Sequence, residues 1–463
     1  MNELTLFYGT IIIFGLIYIG LALLPRKQIK TKTDYFLAGR NLGIFKATCT
    51  LIATQLGAGL LLGTSQEAYK TGLYSLFFTI GISIGLIILG CGVAGRLRAL
   101  NIATTTQLFE IRYHSPFLRK VASLLVTFTL CGILVGNMVA SQSLMQSIGL
   151  DNQFFYTIFW LFIILYTMIG GLHAVVLTDL FQVAFIAIVF IGITLYSIMF
   201  FPHTFSWHAL IQAQTQFQSH MPSAHHLISM LLMPALFALF EQDLAQIFFA
   251  SKTKKIATMT AIFTTIFMLS FGLIPIYLGM QAQLMHISVT PNQSPLFAMV
   301  HTIAGGWMVA LIASGILAAI ASTADALLCA IGANLTQDFS LTFLGLSPLI
   351  ESKATTFFMG ILVFALSYVM PRDIITILVK SYEIPVACLF IAILFAYFAK
   401  HVRKYAGIGG LIGGASGLII FNFLVHVPLE SIFSLGCSAI GYAIGYALDK
   451  PTKTGSNTLT VTP

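Results

Sequence analysis

The sequence predicts an all-α polytopic membrane protein. Three observations support this prediction: the composition, the recurrence of long apolar stretches and the placement of basic residues. Of 463 residues, 58% are hydrophobic and 8% are charged, and the mean hydropathy is +0.93. Soluble domains carry roughly 25% charged residues, so this chain lacks the polar surface that a soluble domain needs, and we expect it to lie in a bilayer.

Apolar stretches of membrane-spanning length recur along the chain between short polar joints. A spanning helix needs about 17–25 residues, whereas barrel strands alternate over about 10 residues. Helices also satisfy their own backbone hydrogen bonds in lipid. We therefore predict thirteen spans, at about 4–24, 44–69, 73–95, 118–147, 153–170, 174–201, 226–250, 256–281, 295–333, 354–371, 374–398, 405–425 and 428–448.

Basic residues predict the orientation, because Lys and Arg concentrate in cytoplasmic loops. The loop 202–226 has neither, and only Lys70 and Arg372 depart from the pattern when the N-terminus is outside and the C-terminus inside. The net charge of +8 follows from this bias and requires no nucleic-acid partner. The basic residues that fall inside are Arg26, Lys27, Lys30, Lys32, Arg40, Arg96, Arg98, Arg112, Arg119, Lys120, Lys252, Lys254, Lys255, Lys353, Lys400, Arg403, Lys404, Lys450 and Lys453.

We expect one transmembrane domain over residues 1–449 and a short cytoplasmic tail over 450–463. The first span lacks a basic n-region and an obvious cleavage site, so it is expected to be a retained helix. The cysteines show neither CxxC nor metal-ligand spacing, which favours packing roles and no transition-metal site. They are Cys49, Cys91, Cys131, Cys329, Cys388 and Cys437.

Polar and charged residues at membrane depth are rare and commonly mark pathways. Several of these residues have a structural alternative. Asp179 and Asp243 could lie at helix ends, and Gln66 and Glu67 could lie near the outer surface. The Lys–Glu pair of span eleven, spaced i, i+3, could simply neutralise itself. Glu241 has no local cation, which makes span seven the better functional candidate. The full set is Gln55, Gln66, Glu67, Asp179, Glu241, Gln242, Asp243, Asp325, Lys380 and Glu383.

Two segments carry residues suited to a cation. In "ATQLGAGLLLG", Gly57 and Gly59 weaken the helix by roughly 1 kcal/mol each relative to alanine, and an interrupted helix frees carbonyl oxygens; close packing of small residues is the alternative. In "LAAIASTADALLCAIGANLTQDF", the Ala319 carbonyl and the hydroxyls of Ser322 and Thr323 could complete a cation shell. Those hydroxyls could instead bond to their own helix.

Four segments in order resemble the sodium:solute symporter family over essentially the whole chain. They are "DYFLAGRNLG" (Asp34–Gly43), "GGLHAVVLTDLFQ" (Gly170–Gln182), "EQDLAQIFFASK" (Glu241–Lys252) and "ASTADALLCAIGANLTQDF" (Ala321–Phe339). The resemblance implies a LeuT-type fold of two inverted five-helix repeats, at about 44–201 and 226–398, with discontinuous first helices and alternating access. It places the main sodium site on the carbonyls of Ala53, Leu56 and Ala319 and the hydroxyls of Ser322 and Thr323.

Some family members carry a second sodium site, built from an acidic residue and from hydroxyl groups of span nine. The acidic residue matches Asp179 in this sequence, and Asp325 stands at one of the positions where the family has a hydroxyl group. The two carboxylates could bind a cation, share a proton or never meet. Asp179 could also receive the departing ion.

The substrate class stays open at this point. Proline symporters of the family place an aspartate where Gln55 stands, and choline transporters place tryptophans there and near Glu241, so choline is disfavoured. Gln246 is followed by Ile247 where the family motif reads Gln-Arg. Candidate substrate-binding residues are Gln55, Gly57, Gly59, Gln66, Phe240, Glu241 and Gln242, with Phe240 a candidate gate or a lipid-facing residue.

The resemblance implies a multi-pass plasma (inner) membrane symporter, not an enzyme, that imports a small polar solute with Na⁺, and an amino acid such as proline is the first candidate. Its partners would be the solute and the lipid bilayer, with a monomer as the functional unit and no organic cofactor. The alternatives are a symporter for a sugar or organic acid, proton coupling, a nutrient sensor that retains the fold, and a sodium- or proton-selective channel.

Overall fold

The computed structural model describes residues 3–150, 152–201, 214–215, 217, 221–289, 294–339, 347–369, 373–425 and 429–449. In these residues the chain is helical apart from loops and an isolated β-bridge between Leu42 and Ser251. Eleven helices there are long and apolar enough to cross a membrane. This confirms the helical membrane class. The orientation of the termini stays a prediction, and the tail 450–463 lies outside the described residues.

The helices follow one another with short connections. In the first half they are α1 (Glu3–Leu23), α2 (Lys32–Leu37), α3 (Ile44–Gln55), α4 (Thr64–Thr71), α5 (Leu76–Ile88), α6 (Ala94–Ala99), α7 (Gln107–Tyr113), α8 (Pro116–Ser147) and α9 (Gln153–Phe200). The second half comprises α10 (Ala224–Phe237), α11 (Gln242–Ala250), α12 (Lys254–Phe271), α13 (Leu273–Leu284), α14 (Pro295–Ala304), α15 (Gly306–Asp338), α16 (Pro348–Leu366), α17 (Ile374–Phe398), α18 (Lys404–Ile419) and α19 (Glu430–Leu448).

The predicted number of thirteen spans differs from the eleven long helices because adjacent spans join. The helical segment Gly59–Ala99 joins the end of the second predicted span to the third, and Gln153–Phe200 joins the fifth and sixth. The 48-residue α9 is interrupted at Gly171, which has a φ of 50° and a ψ of −156°. That conformation favours glycine. The count of thirteen crossings therefore stays a prediction.

Side-chain caps mark several helix starts. The Ser115 hydroxyl accepts the Leu118 N–H at 3.2 Å at the start of α8, where Pro116 occupies the first turn. At the start of α17, the Asp373 carboxylate accepts the Thr376 N–H at 3.1 Å. These contacts satisfy amide groups that have no partner within the helix. They explain why the apolar runs begin as helices where they do.

Helix α15 forms the centre of the bundle. In its most apolar 18-residue stretch, 100% of the residues are buried, whereas the corresponding share is 22% in α1 and 28% in each of α18 and α19. It packs against α1, α3, α8 and α9. The small residues of its sequence allow such close approach, because helix association in lipid depends on packing rather than on hydrophobic burial. The site-bearing segment of α15 is therefore enclosed on all sides by protein.

Candidate functional site

The interruption predicted in "ATQLGAGLLLG" is present. Helix α3 ends at Gln55, Leu56 adopts φ −76° and ψ 21°, and a π-helical turn over Gly59–Gly63 leads into α4. The backbone N–H of Ala58, inside the break, donates to Asn137 Oδ1 of α8 at 3.1 Å. Asn137 is 3% exposed, so the break is supported by a buried amide rather than by water.

Gly57 explains why this stretch needs glycine. A Cβ at this position would lie 2.8 Å from Thr323 Oγ1 and 3.1 Å from Asn137 Oδ1. The glycine thus permits both a departure from helical geometry and close approach to α15. The sequence left an interrupted helix and close packing of small residues as alternatives for this segment, and the structure shows both together.

A second break lies between α10 and α11. Helix α10 ends at Phe237, shortly after Pro234, and Glu241 is extended (φ −60°, ψ 122°) at the start of α11. Carbonyls freed by this break accept bonds from side chains, since the Tyr397 hydroxyl donates to Leu239 O at 2.7 Å and the Thr105 hydroxyl to Phe240 O at 3.0 Å. The discontinuity implied for both repeats is therefore observed in each.

Four of the five residues predicted to bind sodium meet between the break of α3 and the middle of α15. Ser322 Oγ lies 3.0 Å from Ala53 O and 2.8 Å from Ala319 O. Thr323 Oγ1 lies 3.4 Å from Ala53 O and 3.2 Å from Ala319 O. Leu56, the fifth predicted ligand, is the buried residue that directly follows the last residue of α3. We call this group of five residues the oxygen cage.

The oxygen cage has the chemistry of a small-cation site. Its members contribute carbonyl and hydroxyl oxygens, which suit hard cations, and each residue is 5% exposed or less. The Ser322 hydroxyl contacts a carbonyl of its own helix as well as one of α3. Bonding within the helix and bridging between the helices are thus both compatible with this geometry.

A cavity of about 40 Å³ lies beside the oxygen cage, between the two breaks. Thr323 lines it and so belongs to both the cage and the cavity. Of the predicted substrate-binding residues, Gln55, Gly57, Gly59 and Glu241 line this cavity. The other lining residues are Thr54, Leu60, Phe78, Ile82, Ile133, Asn137, Asp243, Leu378 and Tyr382.

The remaining predicted substrate-binding residues lie outside the lining. Gln242 Oε1 accepts the Thr105 N–H at 2.8 Å and its Nε2 donates to Ala103 O at 3.0 Å, so it ties α11 to the segment before α7. Phe240 is buried against Phe237, with ring centroids 5.3 Å apart. Gln66 lies half-buried in α4. A substrate role for these three stays a prediction without support from the cavity.

Sequence reasoning missed Asn137 and Tyr382. It included Asp243 among the polar residues at membrane depth, with a helix end as the alternative, but not among the substrate-binding candidates. A side-chain amide in the apolar middle of α8 could have flagged Asn137. Tyr382 gave no local signal, because its place in the lining depends on how α17 packs. By contrast, the ion pair expected in α17 is present: Lys380 Nζ lies 3.0 Å from Glu383 Oε2, and also 2.7 Å from Glu430 Oε1.

Asp179 and Asp325 belong to a second buried polar cluster. Asp325 accepts hydrogen bonds from the hydroxyls of Thr167, at 2.5 Å, and Tyr166. In the described part of the chain, the Asp179 carboxylate and the Gln182 side-chain amide make no hydrogen bond of good geometry, although the Thr50 hydroxyl lies near Asp179 and the Tyr18 hydroxyl near Gln182. Asp179 and Asp325 are near enough to interact electrostatically, so the sequence expectation that the two could meet is compatible with the structure.

Comparison with known proteins identifies curated relatives along most of the chain. A sodium/proline symporter from Haemophilus influenzae is 26% identical over 457 residues, covering 91% of this chain and 88% of that protein. A sodium/proline symporter from Staphylococcus aureus is 24% identical over 491 residues, covering 96% and 93%.

A solved structure of a Na⁺-coupled sialic acid symporter, substrate-bound and outward-open, aligns with a TM-score of 0.82 at 16% identity and covers 97% of this chain and 99% of that one. This likeness supports the LeuT-type fold. The model of the sodium:solute symporter family matches residues 35–414. These residues include both helix breaks, the oxygen cage and the cavity, and the chain therefore belongs to the sodium:solute symporter family.

Proposed function

We propose that this protein is a sodium-coupled secondary active symporter that imports a small polar solute, with proline as the first candidate. The family and the named relatives are transporters rather than enzymes, and two relatives are sodium/proline symporters. The observation that carries the proposal is the oxygen cage that bridges the α3 break and α15 directly beside a cavity. The cage would hold Na⁺ and the cavity the solute.

Coupling would arise from shared elements. Thr323 belongs to the cage and lines the cavity, and its hydroxyl lies 3.0 Å from Thr54 O, another lining residue. A cation that orders the α3 break therefore prepares the same backbone for the solute. Each ligand raises the affinity for the other by the same factor. The membrane potential adds about 2.3 kcal/mol per charge per 100 mV to inward transport.

The finer architecture belongs to this proposal. The chain would cross the membrane thirteen times in one domain over residues 1–449, with inverted repeats over about 44–201 and 226–398. The N-terminus would lie outside and the tail 450–463 inside. Supporting features are the breaks in the first helix of each repeat and the basic residues on one side. The functional unit would be the monomer.

Asp179 and Asp325 form a proposed second cation site or ion exit. A buried carboxylate without a well-formed partner is costly, and neither oxygen of Asp179 makes a hydrogen bond of good geometry in the described residues. A second Na⁺ or a proton bound there would remove that cost. If Asp179→Asn changes the number of sodium ions transported per solute, sodium binds at this site. If the variant instead loses a pH dependence of uptake, a proton binds there.

The proposed function is tested by uptake of radiolabelled proline into proteoliposomes. We expect accumulation above the external concentration with an inward sodium gradient and no accumulation in choline chloride, compared at two pH values. Ser322→Ala and Thr323→Ala should each raise the half-saturating sodium concentration by about tenfold. Ser314→Ala is the matched control, because its hydroxyl donates at 2.8 Å to Ala310 within the same helix. Sodium-independent uptake, or unchanged sodium dependence in both variants, would contradict the proposal.

A further inference from the structure

The cavity beside the oxygen cage contains two carboxylates and no basic side chain. Glu241 is 7% exposed and Asp243 is 3% exposed, and both line the cavity. No lysine, arginine or histidine is among the lining residues that the structure describes. The site that would receive the solute is therefore strongly acidic.

The structure offers these carboxylates little internal compensation. Asp243 Oδ1 is buried without a hydrogen-bond partner among the described residues. Asp243 lies in the first turn of α11, where the helix dipole favours a negative charge. A buried carboxylate oxygen without a partner is nevertheless costly. The cavity and the unpartnered oxygen together indicate that a ligand supplies the missing positive charge.

From these features we infer that the cavity selects a cationic amine, and that Glu241 and Asp243 determine this specificity. The inference rests on the proposed function, sodium-coupled import of a small polar solute, and within that class it ranks a cationic amine ahead of proline. A cation in the cavity favours the ionised form of both carboxylates, and one Na⁺ in the cage and a solute of charge +1 would then together neutralise the pair. A zwitterionic solute would leave one negative charge uncompensated and would place its own carboxylate in an acidic cavity.

The lining also indicates the kind of amine. Carboxylate oxygens accept charge-assisted hydrogen bonds, which a primary or secondary ammonium donates and a quaternary one cannot. The aromatic rings of Tyr382 and Phe78 line the same cavity, and their faces attract cations. The small cavity favours a compact solute. The cavity would require a solute cation that carries an N–H group. It would at most tolerate a carboxylate on the same solute.

The test uses purified full-length protein in sodium chloride and three proline-based probes that differ in charge: L-prolinamide (cation), L-proline (zwitterion) and N-acetyl-L-proline (anion). The rise in unfolding temperature with probe concentration gives an apparent affinity. We expect prolinamide to bind about tenfold more tightly than proline and N-acetylproline not to bind. Glu241→Gln and Asp243→Asn should each remove most of the advantage of prolinamide. Glu67→Gln is the control, because Glu67 lies 3.6 Å from His226 and does not line the cavity.

Size-exclusion profiles and unfolding temperatures without probe establish that the variants fold. Equal or tighter binding of proline, unchanged prolinamide binding in both cavity variants, or stabilisation by none of the probes would overturn the inference. Failure of the proposed function is distinguishable, because binding would then be the same in sodium chloride and in choline chloride. Sodium-dependent binding with proline ahead of prolinamide would overturn the inference and leave sodium coupling intact.

Discussion

Gly57 links the irregular backbone of α3 to the hydroxyls of α15. A methyl group here would meet both Thr323 and Asn137, at 2.8 and 3.1 Å. We expect Gly57→Ala to push the α3 break away from α15 and raise the half-saturating sodium concentration by about tenfold or more. Sodium-dependent uptake measures this. Gly20→Ala is the control, since a Cβ there meets nothing within 4 Å; equal sodium affinity in the two variants would show that this close approach is unimportant.

Asn137 supports the same break from the opposite side. Its Nδ2 donates to Ile133 O at 3.0 Å and its Oδ1 accepts the Ala58 N–H. Asn137→Ala would leave that buried N–H without a partner, at a cost of about 1–3 kcal/mol. We expect a lower unfolding temperature and weaker solute binding, measured by thermal unfolding with and without solute.

Asn422→Ala is the matched control for this prediction, because Asn422 also donates to a carbonyl four residues earlier, Leu418 O, at 3.1 Å. It does not line the cavity. If both variants bound solute as the unmodified protein does, Asn137 would have no role in holding the break.

At the residue scale, sequence reasoning predicts what is locally unusual. Ser322, Thr323 and Gly57 are conspicuous in apolar stretches, and the structure brings them together as expected. Tyr382 and Asp243 enter the cavity only through the packing of α17 and α11, which no local pattern specifies. For the same reason Gln242, polar and close to the break, could not be distinguished in advance from a substrate ligand.

At the scale of elements, α9 shows how one glycine sets a bend. A Cβ on Gly171 would lie 2.5 Å from Tyr35 O, and the residue has positive φ. We expect Gly171→Ala to lower the unfolding temperature strongly, because it combines backbone strain with a clash against the backbone of α2. Gly192→Ala in the same helix should be tolerated, as a Cβ there meets nothing within 4 Å. Similar unfolding temperatures for both variants would contradict this account.

Helix boundaries were predictable where polar joints separate apolar runs, and less so inside them. The predicted span 295–333 is divided by Gly305, with φ 77°, into the short α14 and the long α15. Composition could not reveal that division, because both parts are equally apolar. The breaks in α3 and in the α10–α11 segment were signalled by Gly57, Gly59 and Pro234, residues that weaken helices on their own.

At the scale of the whole molecule, an ionic network lies at the end of α15. Arg119 Nε lies 2.8 Å from Asp338 Oδ1, and Arg119 Nη1 lies 2.6 Å from Glu110 Oε2. Thr104 and Thr106 also donate to the Asp338 carboxylate. In the proposed orientation this network lies on the cytoplasmic side, where it joins the α7–α8 region to α15.

Removal of the Arg119 side chain tests whether the network holds the α7–α8 region against α15. Arg119→Ala would leave the fully buried Asp338 carboxylate without its cation, a change that costs about 3–5 kcal/mol. We expect a markedly lower unfolding temperature and, in proteoliposomes, slower sodium-driven uptake. Arg96→Ala is the control, because Arg96 is exposed. Unaltered stability in Arg119→Ala would show that the network does not hold the α7–α8 region against α15.

The central claim is that Na⁺ binds between the interrupted α3 and the hydroxyls of α15. A high-resolution density map of the protein in sodium chloride with its solute tests it most directly. The account predicts a peak in direct contact with the oxygens of Ala53, Leu56, Ala319, Ser322 and Thr323, absent when choline replaces sodium. A map in sodium with continuous helices, or with both hydroxyls bonded only within α15 and no ion between the segments, would contradict it.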